Sequence, residues 1–225
     1  MGDGEPSATT DENGKFTLID VPTNSDGTIV AYTIVAVGGV DTSTGQIFSG
    51  VLKAPAGATV VTPTTTLIET GGLTAAEATK QVTKALGLPE FIDIATYNPH
   101  ADFAASTAAS TAIKIHTQVS MLLQTVTAFT AIATADSTAD STAAIKAVAN
   151  TLMSISNNSD NSVVDLTISD NVTRMLSAAA APAPAYVADA TVAIKSAATV
   201  DIKPINITKS RISRNTTTTT ELSEE

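Results

Sequence analysis

The period of the apolar residues changes near residue 70, and this change limits the possible folds more than any other feature of the chain. Before it, apolar and polar residues alternate in short runs broken by turn residues. "KFTLI" (15–19) follows Asn13-Gly14 and stops ahead of Pro22. "TIVAYTIVAV" (28–37) closes on Gly38-Gly39, residues 46–53 follow the loop "DTSTG", and residues 59–62 stop at Pro63. Period two bounded by Gly, Pro, Asn and Asp predicts strands joined by turns. After residue 70 the period becomes helical. Thr74-Ala75-Ala76-Glu77 has the form of a capping box, and Gly87 followed by Pro89 marks the end of that helix. Asn98-Pro99 places an N-cap before a proline at the first helical position. Phe103, Ile113, Val119, Leu122, Val126, Phe129 and Ile132 then form the apolar stripe of a long helix. "DSTADST" (136–142) interrupts it. Further helices are predicted over about 141–155, 169–180 and 185–198, and the last two are separated by the stiff connector "APAPA".

The resulting expectation is an α+β chain: a small antiparallel β-sandwich, immunoglobulin-like or prealbumin-like, over residues 1–70, then an all-α bundle over 71–200. Residues 201–225, ending in "RNTTTTTELSEE", read as a linker or disordered tail. The opening Met1-Gly2-Asp3-Gly4 reads as the start of a segment cut from a longer chain. With 4% aromatics and no Trp, the core is built of Ala, Val, Ile and Leu. Each of these buries little area, which favours a modest core over a deep aromatic pocket.

Charge and cysteine content exclude several classes of function. A net charge of −10 opposes binding to nucleic acid phosphates and to anionic membranes. It suits a self-repelling surface protein or one that recruits divalent cations. With no cysteine there are no disulfides, thiolate zinc sites or cysteine nucleophiles. No window approaches the length of an apolar membrane span.

Two stretches carry a resemblance. "GDGEPSATTDENGKFTLIDVP" resembles the start of carboxypeptidase-regulatory-like and SD-repeat B-type β-sandwich modules of bacterial surface proteins. Gly2, Asp3, Gly4, Glu5, Pro6, Thr9, Thr10, Asp11, Asn13, Gly14 and Phe16 fit that pattern, while the upstream half of its acidic segment is missing. "GGVDTSTGQIFSGVLKAPAGATVVTPTTTLIE" (38–69) looks like a block of very large exported bacterial proteins. There too it precedes a helical segment of the "LTAAEATKQVTKALGLP" type. The resemblance covers about residues 2–100. It implies an adhesin-like role on the cell surface or outside the cell, with no known catalysis.

Asp3, Glu5, Asp11 and Asn13 are the candidate metal ligands, because calcium takes six to eight hard oxygens and short acidic loops supply them. The resemblance also implies calcium, since the related modules often bind it through such loops. The competing reading is a turn: Asp and Asn before Gly form turns, and Asn13-Gly14 suits a type I′ hairpin. Asp41 and Thr44 divide in the same way between a cation loop and a turn that Gly45 permits. His100 and His116, the only histidines, lie sixteen residues apart on one predicted helix, about 24 Å, too far to share a metal. Thr216 to Thr220 reads as an extended linker, with an O-glycosylated tract as the rival. No hydrolase elbow, zinc-protease motif, P-loop or dinucleotide fingerprint occurs, and no base stands in sequence beside the many hydroxyls. The function expected is therefore non-enzymatic: a structural or adhesive module of a large bacterial cell-surface or secreted protein, whose partners are other protein modules or further copies of itself. A structural component of a phage or extracellular filament is the rival reading.

Overall fold

The structure, a computed structural model, describes residues 5–21, 23–27, 30–41, 46–47, 50–71, 73–98, 107–134, 141–158, 163–179 and 219–224. Its elements, in chain order, are β1 (Ser7–Thr9), β2 (Tyr32–Val37), β3 (Val40–Asp41), β4 (Gln46–Ile47) and β5 (Val51–Pro55). They continue with α1 (Pro63–Thr70), α2 (Ala75–Ala85), α3 (Thr107–Thr134), α4 (Thr142–Asn158), α5 (Ser169–Ala179) and β6 (Thr219–Glu224).

The expected β-sandwich is overturned. A sandwich needs two sheets stacked face to face. Here one antiparallel sheet runs β1-β6-β2-β5, and the second sheet is only the two-residue pair β3-β4. The chain instead packs α1 against β5. The physical reason is a shortage of inward-facing apolar residues. Among the described residues the buried cluster on the sheet side is Ile34 and Ala54, with Leu18, Val21, Tyr32, Ala58 and Val61 partly buried around it. That much apolar surface does not furnish two inner faces.

Two expected strands are also absent. Residues 15–19 follow the turn outside any strand, the Lys15 carbonyl accepting the Asp11 N–H, and residues 59–62 lead directly into α1. There Thr59 and Val60 donate their N–H groups to the carbonyl of Ala95 rather than to a strand. Conversely, a strand forms in the stretch read as a tail. β6 pairs with β2 from Tyr32↔Glu224 to Val37↔Thr219, and with β1 from Ser7↔Glu221 to Thr9↔Thr219.

The helices match their sequence signals more closely. Thr74 caps α2, its hydroxyl accepting the Glu77 N–H at 3.4 Å and donating to the Glu77 carboxylate at 2.7 Å. At the other end, Gly87 donates to the Lys84 carbonyl and Leu88 to the Thr83 carbonyl, the paired bonds of a Schellman stop. Gly87 holds φ +65°, and a Cβ there would stand 2.7 Å from a Val163 methyl, so only glycine fits.

α3 is long and rich in Thr, a poor helix former. Its hydroxyls at Thr117, Thr125, Thr127 and Thr130 donate to carbonyls four residues earlier, which lets them sit partly buried without unmet polar groups. α4 is the hub and meets each of the other four helices. One continuous core runs from Leu67 and Ile68 of α1 through Val82, Val119, Leu122, Val126, Val148 and Leu152 to Met175 and Leu176. The helical core thus begins inside α1, ahead of residue 71. The helix expected over 185–198 and the segment around Phe103 lie outside the described residues.

Candidate functional site

The densest polar network among the described residues lies where α1 meets the sheet. β5 is an edge strand, and such an edge leaves N–H and C=O groups unpaired. Val35 pairs with Lys53, and both main-chain groups of Lys53 turn away from β2 toward α1. The Thr66 hydroxyl accepts the Lys53 N–H at 2.9 Å, and the Thr65 hydroxyl stands 2.8 Å from the Lys53 carbonyl. Two threonines of a helix therefore take the place of the missing neighbour strand.

The local sequence positions them. Thr62 is the N-cap, extended at φ −137°, and Pro63 at the first helical position presets the backbone. Thr62 Oγ1 accepts the Thr65 N–H at 3.1 Å, and Thr65 Oγ1 accepts the Thr62 N–H at 2.8 Å, a capping box made from two threonines. Thr66 and Thr70 can also donate back to the carbonyls of Thr62 and Thr66. Both Thr65 and Thr66 are 0% exposed.

Two further contacts tie the units together. The Thr33 hydroxyl on β2 donates to the Glu69 carboxylate of α1 at 2.5 Å. The Lys53 ammonium donates to Thr142 Oγ1 at the start of α4 at 2.9 Å. A hydroxyl held by a carboxylate is formally a nucleophile beside a base. Thr33, however, is 4% exposed, which denies a substrate access to it.

The acidic turn resolves into backbone work. Asp11 Oδ1 accepts the N–H groups of Asn13 at 2.8 Å and Lys15 at 2.9 Å. Gly14 donates to the Asp11 carbonyl, and Asp11 donates to that of Lys15. Gly14 has φ +73° whereas Asn13 does not have positive φ, so the turn is type I closed by a left-handed glycine and not type I′. Asn13 is exposed and Glu5 is exposed, while Asp3 lies outside the described residues. No group of three or more His, Cys, Asp or Glu comes together to hold a metal among the described residues.

His116 lines a small recess with Leu88, Ile92, Ile94 and Ala112, where Thr64 and Tyr97 are its other polar neighbours. The space is closer to the size of a water molecule than to that of a metabolite. His100, Asp102, Thr44 and Gly45 lie outside the described residues, as do Thr216 to Thr218; Thr219 and Thr220 belong to β6. Among the described residues no helix is long and apolar enough to cross a membrane.

The threonine seam escaped the sequence reading. Its signal was nevertheless present in "VTPTTTLIE": an N-cap threonine, a proline at the first helical position, and three poor helix formers whose hydroxyls need partners. No protein-family model matches the chain, and no curated protein or solved structure matches it either.

Proposed function

We propose that this chain is a non-enzymatic structural or adhesive module of a large bacterial cell-surface or secreted protein. The observation that carries this reading is the α1–β5 seam. Its buried hydroxyls join sheet to helices, as a module that passes load from one neighbour to the next requires. Thr65 and Thr66 are fully buried, so these hydroxyls serve packing between the two elements. Each such bond contributes about 0.5–1.5 kcal/mol net, and a buried donor left without its partner costs about 1–3 kcal/mol. The joint therefore resists being parted one bond at a time.

The acidic, cysteine-free composition supports the same reading, as does the resemblance of residues 2–100 to blocks of exported proteins. In this role the sheet acts as a spacer or binding unit and the helical part as a rigid extension. The test is proteolytic shaving of intact cells of the source organism, with mass spectrometry of released peptides. Peptides of this chain released before lysis are the expected result. Peptides found only after lysis, alongside cytosolic markers, overturn the proposal.

A further inference from the structure

We propose that Asn13 is a site of spontaneous covalent modification, in which the Gly14 main-chain nitrogen attacks the Asn13 carboxamide, and that Asp11 sets the rate as a positioning residue. The reaction is an intramolecular acyl transfer with water as its only co-reactant. The Gly14 nitrogen forms a bond to Asn13 Cγ and gives up its proton, the Cγ–Nδ2 bond breaks, and the amide nitrogen leaves as ammonia. Water then opens the resulting succinimide at either carbonyl. One product carries Asp in place of Asn13. The other is isoaspartate, in which the main chain runs through the former side chain. Nothing is oxidised or reduced.

Three observations select this position. Asn13 is the only asparagine of the chain followed by glycine, and Gly14 has no Cβ to hinder the approach of its nitrogen to the carboxamide. Asn13 is exposed, so water reaches it and ammonia escapes. Its carboxamide takes no part in the bonds that hold the turn, which are made by main-chain groups and Asp11 Oδ1.

The same turn restrains the attacking group. The Gly14 N–H donates to the Asp11 carbonyl at 3.0 Å, and it must leave that bond and lose its proton before the nitrogen attacks. Asp11 Oδ1 holds the N–H groups of Asn13 at 2.8 Å and Lys15 at 2.9 Å, which keeps the turn closed. Residues 11–15 include no buried residue, so the turn opens locally without disturbing the core. It therefore slows the reaction and does not stop it. Each conversion adds a carboxylate beside Asp11 and Glu12, and isoaspartate also lengthens the main chain between Asp11 and Lys15, whose pairing closes the turn. The chemistry needs no partner, so it stands or falls separately from the surface reading.

Full-length protein is incubated in mildly alkaline buffer, folded and in urea, and sampled over time. Mass spectrometry of peptides follows conversion at Asn13, and labelling by an isoaspartyl methyltransferase identifies the iso product. Conversion is expected in the folded chain, more slowly than in urea, with isoaspartate among the products. Asp11→Ala removes the Oδ1 bonds and is expected to raise the folded-state rate about two- to fivefold. Asp11→Asn retains an acceptor oxygen and is expected to restore the original rate, which assigns the effect to the bonds and not to the charge. Asn24, exposed in a separate turn, reports general loosening and is expected to be unaffected by Asp11→Ala. Asn13 left intact in the folded chain, whether or not the urea sample converts, overturns the site. Equal folded-state rates with and without Asp11→Ala, or a matching rise at Asn24, overturn the role of Asp11.

Discussion

The sheet and the helices of this chain are stabilised in different ways. The helical part closes a continuous core from Leu67 to Leu176, while the described part of the sheet buries Ile34 and Ala54 at the centre of a small cluster. Apolar burial contributes roughly 25 cal/mol per Å² and scales with area, so the helices draw on it more than the described part of the sheet does. The sheet gains its order by attachment: its exposed edge is taken up by hydroxyls of α1, whose own Leu67 and Ile68 belong to the helical core. The strand-rich layer is therefore expected to lean on the helical one for part of its stability.

The most severe challenge to this contrast is damage to the helical core. Leu122 is 1% exposed, and Leu122→Ala is expected to cost about 2–5 kcal/mol through lost transfer energy and the cavity left behind. Leu18→Ala, on the half-buried rim of the sheet cluster, is expected to cost roughly 1 kcal/mol. Urea melts followed by circular dichroism compare the two. Equal costs mean that the sheet has a core of its own. In Leu122→Ala, sheet and helix signals are expected to be lost at the same urea concentration, since the layer falls with its support.

The second test is aimed at the seam. Thr66→Val keeps the shape and removes the hydroxyl, which leaves the Lys53 N–H without its partner at a cost of about 1–3 kcal/mol. Hydrogen exchange is expected to quicken at β5 and β2 while Val119 and Leu152 stay protected. Uniform loss of protection would make Thr66 an ordinary core residue and remove the distinction between layer and support.

Gly87→Ala comes next in size. The substitution places a side chain at φ +65° and 2.7 Å from a Val163 methyl, and a cost of about 1–3 kcal/mol is expected in thermal melts. Gly87→Ala combined with Val163→Ala separates the two contributions. The double variant is expected to recover the steric part and retain the backbone part.

How much of this was legible in sequence differs between the same two regions. α2, α4 and α5 were readable because a helix signals locally, through its 3.6-residue stripe and its caps; Thr74 and Gly87 did what their positions implied. Strands were over-read. Thr alternating with apolar residues gives the same pattern whether or not a strand partner is found, and residues 15–19 and 59–62 form no strand. β6 was invisible because a polar Thr/Glu/Ser run becomes a strand only when a distant slot pairs with it. α1 was hidden by the run Thr64-Thr65-Thr66, in which the helical cost of Thr65 and Thr66 is offset by bonds to Lys53 of the preceding strand. The acidic residues were legible as turn chemistry, although the turn type was not, since the choice depends on the φ of Asn13.

The weakest effect concerns the acidic turn and probes the sheet's side of the contrast. Were calcium bound there, the sheet would have a support independent of α1. Asp11 Oδ1 already accepts two main-chain N–H groups, so recruiting it for calcium competes with the turn it stabilises. Millimolar calcium is therefore expected to leave the melting temperature of the full chain unchanged. Asp11→Asn should be nearly silent too, because Asn retains the acceptor oxygen and tolerates the same turn. Asp11→Ala, which loses both bonds at an exposed site, should cost about 0.5–1 kcal/mol. A ligand at a hundred times its dissociation constant stabilises by roughly 2.7 kcal/mol, an effect too large to overlook beside these values. A calcium-dependent rise of that order, abolished by Asp11→Asn and weaker with magnesium, would show that the sheet carries its own anchor. The layer would then depend on the helices for its edge alone.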